Sequence, residues 1–262
     1  MPFGKVRPLA SGIVFDEPPI QGGVIRGIAP DGVTSLSLDG EPVDIMPDRA
    51  FIIAFNRDAP RRAVLSVGRA DGSQAEETLD VSPREWRIER VNVAMRGSTP
   101  SEAYMALRRP ELEQIGLARA IRSDSQGWRQ QFIWPVKGRI SGLFGSQRVY
   151  RGEPGSFHSG VDVSTGTSGT PIVAPADGVV ILAADKPFTL EGNLLMLDHG
   201  MGLNSAFLHL SEISVKPGEA VRQGQVIGRI GATGRATGPH LHWSMKWRDA
   251  RIDPLLLAGP MD

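Results

Sequence analysis

Pro239-His240-Leu241-His242-Trp243 decides how the second half of this chain is read. Histidine alternates with large apolar residues, the period of a β-strand. Residues two apart in a strand share a face, so both imidazoles can line one cleft while Leu241 enters the opposite layer. A second cluster, His158-Ser159-Gly160-Val161-Asp162, lies far upstream. Its histidine and aspartate are four apart, again one face of an extended segment, and Gly160 argues against a helix there. Between the clusters, Phe207-Leu208-His209-Leu210-Ser211 carries another histidine in an apolar segment, set beside Phe207 by the same alternation.

The chain holds five histidines, and four of them are these. Two histidines and a carboxylate on a metal, an open position for water, and further histidines to move protons are the inventory of a zinc hydrolase. Spacing alone does not divide His158, Asp162, His209, His240 and His242 into ligands and proton carriers. It does exclude the His-Glu-x-x-His helix of the commonest zinc proteases. The absence of cysteine excludes a thiolate zinc site and a disulfide framework. His199 falls in Asp198-His199-Gly200-Met201-Gly202, a turn between strands, and reads as structural.

Working outward, apolar runs at Pro171–Ala174, Gly178–Leu182, Asn193–Leu197 and Gln225–Ile230 are bounded by Gly, Pro or Asp. They predict an antiparallel β domain over 132–262. Gly231 to Gly238 is glycine-rich but lacks the Gly-Lys-Ser/Thr ending of a phosphate loop; it reads as a flexible loop. Upstream, 96–131 reads as a helical linker. Pro110 opens a helix whose Leu112, Ile115, Ala118 and Ile121 recur every three residues, and Ser98-Thr99-Pro100-Ser101 starts an earlier one. Arg122 to Arg129 reads as a solvated linker face. Residues 20–95 alternate short strands (24–28, 33–38, 51–55, 63–67, 77–81 and 86–91) with Asp-Gly turns, the pattern of a small immunoglobulin-like β-sandwich. That sandwich contains no histidine. Residues 1–19 form an irregular leader.

These strand patterns make the chain mainly β, and its composition, 40% hydrophobic over 262 residues, is that of a globular protein with an ordinary core. A formal net charge of +0 gives no long-range field toward nucleic acid or an anionic membrane. The longest apolar stretches are strand-length, so no transmembrane segment is expected. The opening residues, Met1 to Val6, lack the apolar core of a signal peptide.

Residues 138–255 resemble the lysostaphin-type zinc endopeptidases, which cut peptide cross-bridges of peptidoglycan. The likeness runs in order through Gly138-Arg139-Ile140-Ser141-Gly142-Leu143-Phe144-Gly145, the His158–Asp162 cluster, Gly169-Thr170-Pro171-Ile172-Val173-Ala174, Asp198-His199-Gly200, His209-Leu210-Ser211 and Gly238–Trp243. The N-terminal β region resembles the accessory domain preceding this peptidase domain in some Gram-negative members. The resemblance implies that His158, Asp162 and His242 hold Zn2+, while His209 and His240 line its open side and move protons. No glutamate stands beside the ligands to act as base, which agrees with histidine in that role. Family members often carry tyrosine where this chain has Phe207; Tyr150, Arg148 or Asn193 would then supply polar contacts to substrate.

The implied function is hydrolysis of peptidoglycan stem-peptide cross-links, at the D-alanyl to meso-diaminopimelate bond if the Gram-negative likeness holds. The substrate would then lie extended in a groove walled by loops around 146–157, 183–192 and 231–238, where the glycines of 231–238 let a peptide approach the backbone closely. The alternatives are a non-catalytic cell-wall module that activates an amidase, which retention of all five site positions argues against, and a zinc peptidase acting on Gly-rich proteins. Peptidoglycan lies outside the cytoplasmic membrane, so a periplasmic or otherwise exported protein is expected, its signal segment absent from this chain. A regulatory partner would act through the N-terminal domain or the linker.

Overall fold

The computed structural model describes residues 8–94 and 101–261. They form two compact units, 8–85 with 249–252 and 86–248 with 253–261. The first holds β1 (Val14–Phe15), β2 (Val24–Ile28), β3 (Val33–Leu38), β4 (Glu41–Val43), β5 (Ala50–Ala54), β6 (Arg62–Arg69) and β7 (Gln74–Asp80). Two antiparallel sheets, β1-β2-β5 and β4-β3-β6-β7, are built from them. In β6, Ala63, Leu65 and Val67 are buried while Arg62 and Val64 are exposed, the period-two signature of a half-buried strand. β1 falls inside the stretch expected to be irregular. Phe15 is buried and meets Phe51 edge-on at 5.9 Å, so packing orders a segment too short to show any periodicity. Residues 1–7 of that leader lie outside the described residues.

The second unit begins with β8 (Ile88–Val91) and α1 (Glu102–Ala120). It continues through β9 (Arg139–Gly142), β10 (Gln147–Tyr150), β11 (Glu153–Phe157), β12 (Val161–Ser164), β13 (Pro171–Val173) and β14 (Gly178–Ala183). Then follow β15 (Asn193–Asp198), β16 (Leu203–Leu210), β17 (Glu212–Ile213), β18 (Ala220–Val221), β19 (Val226–Arg229), β20 (Leu241–Trp247) and α2 (Pro254–Ala258). The main antiparallel sheet runs β18-β14-β15-β16-β20-β12-β9. The last strand expected in the N-terminal sandwich sits elsewhere. β8 pairs in parallel with β10 to make the sheet β11-β10-β8, and Trp86 just before it packs edge-on against Phe144 at 5.8 Å.

α1 also departs from the sequence reading. It is one helix that starts before Pro110 and carries that proline inside, and the Ser101 hydroxyl caps it by accepting the Tyr104 N–H. Ser98 to Pro100 lie outside the described residues. A three-residue spacing drifts around a 3.6-residue helix, so Ile115 and Ala118 pack on the main sheet while Leu112 and Ile121 stay exposed. Ala118 enters a cluster with Ile181, Phe188, Leu194, Met196 and Ala206. The expected linker helix is therefore a packed part of the second unit. Among the described residues, no helix is long and apolar enough to cross a membrane.

Candidate metal centre and active site

The site grows from one cross-strand pair. β12 and β20 run antiparallel with Asp162 opposite His242, and opposite residues share a face. Their neighbours Val161, Val163, Leu241 and Trp243 point the other way and are fully buried. Two strands with an apolar face in the core thus push a carboxylate and an imidazole together on the opposite face. His158 joins them from the turn before β12. His158 Nε2 lies 3.1 Å from Asp162 Oδ1 and 3.1 Å from His242 Nδ1, and His242 Nδ1 lies 2.8 Å from Asp162 Oδ1.

These three residues form a cluster that could hold a metal ion. The donor set fits one. His158 Nδ1 is 3.1 Å from the Leu143 carbonyl, which takes its N–H and leaves the Nε2 lone pair facing the other two donors. Two nitrogens and one carboxylate oxygen converging on one point are a borderline-soft set with room for a further ligand. Burial lowers His158, but the Asp162 carboxylate beside it outweighs this and raises the ring above its ordinary value. Burial opposes ionisation of Asp162, but its interactions with the His158 and His242 rings outweigh it and hold the carboxyl well below its usual range. Burial pushes His242 below its ordinary value, the neutral state a ligand needs.

Two glycines of the motifs are explained by this crowding. A Cβ on Gly160 would stand 2.7 Å from His242 Nε2 and 2.5 Å from the Trp243 carbonyl oxygen. One on Gly142 would stand 2.4 Å from Asp162 Oδ2.

His209 and His240 stand beside the cluster with ring centroids 4.9 Å apart, and His209 is 6.3 Å from His242. His240 Nε2 is 3.9 Å from Asp162 Oδ1. Each ring is set by a backbone carbonyl: His209 Nδ1 by Thr233 at 2.9 Å, His240 Nδ1 by Gly238 at 2.9 Å. With Nδ1–H spent on a carbonyl, each neutral ring keeps a free lone pair on Nε2. Burial pushes His209 below its ordinary value, and the Thr233 carbonyl offsets part of that. The shift favours the neutral ring.

His209 arrives by a route that simple alternation misses. Leu195 pairs with Phe207 but Asn193 pairs with Leu210, so β16 carries one extra residue there. His209 takes the left-handed backbone, φ 65°, in that bulge. Phe207 lies opposite Trp243 on the core side and is fully buried, whereas His209 is switched to the side of His240 and His242. The ring at 207 thus does not stand beside His209.

The cluster opens onto a cleft of about 1430 Å³ whose lining includes Leu143, Arg148, Tyr150, His158, Asp162 and Arg235. Arg148 and Tyr150 stand on its wall, with Arg148 Nε held by Glu89 at 2.7 Å. Asn193 does not line it. Its carboxamide donates to the Leu210 carbonyl at 2.9 Å, and its N–H donates to Thr233 Oγ1 at 2.9 Å. Of the three expected walls, 146–157 and 231–238 contribute lining residues; 183–192 does not and instead backs His209, whose N–H donates to the Glu191 carbonyl at 2.8 Å. Sequence reasoning missed Thr233, which orients His209 through its carbonyl; its only signal was a place among the glycines of 231–238. His199 is structural as expected. It is fully buried with Nδ1 2.8 Å from the Asp177 carbonyl and Nε2 2.7 Å from Ser205 Oγ.

Comparison with known proteins places this geometry. Residues 156–254 match the description Peptidase family M23. A Pseudomonas aeruginosa crystal structure assigned to peptidase M23 is 30% identical, covering 93% of this chain and 96% of that one, with a TM-score of 0.69. The chain belongs to peptidase family M23. The likeness to that structure extends through both units, well beyond the residues that the family description matches. Among curated relatives, the peptidoglycan DD-endopeptidase ShyA of Vibrio cholerae is 38% identical over 136 residues, 50% of this chain and 30% of ShyA. The DD-carboxypeptidase/endopeptidase Mpg of Neisseria meningitidis is 39% identical over 126 residues, 47% of this chain and 27% of Mpg. The chain spans less than a third of the length of these two relatives.

Proposed function

We propose that this M23 protein is a zinc-dependent endopeptidase that hydrolyses peptide cross-links of peptidoglycan, at the D-alanyl to meso-diaminopimelate bond. The observation that carries the reading is the convergence of His158 Nε2, Asp162 Oδ1 and His242 Nδ1 beside two more histidines whose Nδ1 atoms are set by backbone carbonyls. The substrate class rests on the relatives named as peptidoglycan DD-endopeptidases. Since peptidoglycan lies outside the cytoplasmic membrane, the site of action is the periplasm.

Zn2+ held by His158, Asp162 and His242 would supply Lewis acidity and lower the pKa of water at the open position. The chain's own residues do the rest. The peptide lies along the cleft between the β10–β11 hairpin and the Arg235–Thr237 turn, where Arg148 and Tyr150 meet its polar groups. His209 Nε2 takes the proton of the attacking water, because burial keeps the ring neutral and Thr233 fixes its orientation. His240, once protonated, donates from Nε2 to the developing oxyanion and then to the leaving amine. The histidine-free N-terminal unit orients the enzyme on the wall or receives a regulatory partner.

Digestion of purified sacculi with and without a chelator, read by mass spectrometry, tests the proposal. Chelator-sensitive loss of cross-linked dimers with gain of monomers is expected. Intact dimers after incubation with protein carrying one zinc per chain would overturn it.

A further inference from the structure

α1 lies outside the residues that match the family description, yet it reaches toward the site. Arg108 and Glu191 are both buried, at 8% and 9% exposure. They form a two-pronged pair: Arg108 Nη1 to Glu191 Oε2 at 2.5 Å, Nη2 to Oε1 at 2.7 Å. Glu111, one turn along α1, also takes Arg108 Nη1 at 3.0 Å. Its carboxylate accepts the Thr189 N–H at 2.7 Å and the Thr189 hydroxyl at 2.6 Å. The helix therefore grips the 188–192 segment at two residues. The other side of that segment holds His209: the Glu191 carbonyl accepts the His209 N–H at 2.8 Å.

Three points favour a positioning role over stability alone. A buried ion pair is a poor stabiliser, since apolar residues of equal size often serve as well. What a guanidinium–carboxylate fork adds is direction, fixing two planes against each other. The residue at the far end sits in a backbone region, φ 65°, that a non-glycine residue keeps only where its surroundings hold it.

We propose that Arg108 is a positioning residue for His209, acting through Glu191: the fork presses the 188–192 segment against β16 and thereby fixes the histidine's backbone and ring beside His240 and His242. The proposal rests on the reading of His209 as a proton carrier. Loss of the fork lets Glu191 withdraw, frees the His209 amide and spoils the alignment of Nε2. The cleft walls at 141–158 and 235–237 do not depend on it, so substrate affinity is spared.

The test uses the full chain as wild type, Arg108→Lys, Arg108→Met and the double variant Arg108→Met/Glu191→Met, which removes both buried charges and keeps the residue 191 carbonyl. Cleavage of cross-linked muropeptide dimers gives kcat and KM; zinc content and hydrogen exchange at the His209 amide are measured beside them. The expected result for both Met-bearing variants is a kcat lower by about tenfold or more with KM within about twofold of wild type. Zinc content stays equal, His209 exchanges faster, and Arg108→Lys recovers part of kcat. A folded double variant with wild-type kcat and a protected His209 amide overturns the proposal, as does a parallel loss of zinc and activity. If the wild type cleaves nothing, the enzymatic reading fails by itself. The amide then decides the coupling: faster exchange in Arg108→Met supports it, unchanged exchange sinks it.

Discussion

At the scale of single residues, the site is a problem of crowding. Three donor atoms lie within hydrogen-bonding distance of one another, and the backbone must pass close behind them. Gly160 meets that demand, because any Cβ there would press on both the His242 ring and the Trp243 carbonyl. Gly160→Ala should therefore displace His242 while leaving all ligands present. Zinc affinity is expected to fall on the order of tenfold to a hundredfold, the usual cost of disturbing the shell behind a metal ligand. Competition with a chelator of known affinity measures it, and an unchanged zinc Kd would show that the neighbouring atoms simply move aside. The five candidate site residues were legible in the sequence because the chain holds only five histidines and four of them fall in these short segments, while the division into ligands and proton carriers came only from the family resemblance. The carbonyls that orient the rings, from Leu143, Thr233 and Gly238, were not legible. Every residue has a carbonyl, so nothing in a side-chain alphabet marks them.

At the scale of elements, legibility fails where the chain breaks its own period. Alternation placed Phe207 and His209 on one side, and one inserted residue in β16 separates them. Pro110 suggested a helix start, yet a capped turn at Ser101 precedes it and tertiary packing carries the helix through. The bulge is held by two loops that touch through glycines. Gly234 has φ 69°, and a Cβ there would stand 2.3 Å from the Gly192 nitrogen. Across the same contact the Arg235 N–H donates to the Leu190 carbonyl at 3.0 Å. Gly234→Ala should push the loops apart and carry the adjacent Thr233 carbonyl away from His209. Strain at such a backbone position costs about 1–3 kcal/mol. A displacement of about 1 Å at a proton carrier lowers kcat by on the order of a hundredfold. The two effects separate by measuring kcat at a temperature where thermal melting shows the variant fully folded. Unimpaired turnover there would mean that His209 does not need the Thr233 carbonyl.

At the scale of the whole molecule, one buried histidine ties stability to pH. His199 lies in the turn between β15 and β16, enclosed by Phe132, Asp177 and Ser205, and burial pushes it down to about 4. In the unfolded chain it titrates near the ordinary histidine value of about 6.5. Between those values the unfolded state binds a proton that the folded state refuses, so stability rises with pH across the window and falls as the medium is acidified through it. The span is worth about 3 kcal/mol in all. His199→Gln cannot take up a proton, and its amide can still reach both Ser205 and the Asp177 carbonyl. The neighbouring Asp198, raised by burial, contributes with the opposite sign but is common to both proteins and cancels in the comparison. The difference in unfolding free energy between wild type and His199→Gln, measured in metal-free protein by urea titration, should therefore shift steadily against the wild type from pH 6.5 to pH 4. A difference that stays flat across that range would place the proton on His199 in the folded state as well, and its bond to Ser205 would then run the other way. The effect belongs to the second unit alone, since the first has no histidine among its described residues, so a probe such as Trp243 or Trp128 inside that unit should report the whole of it.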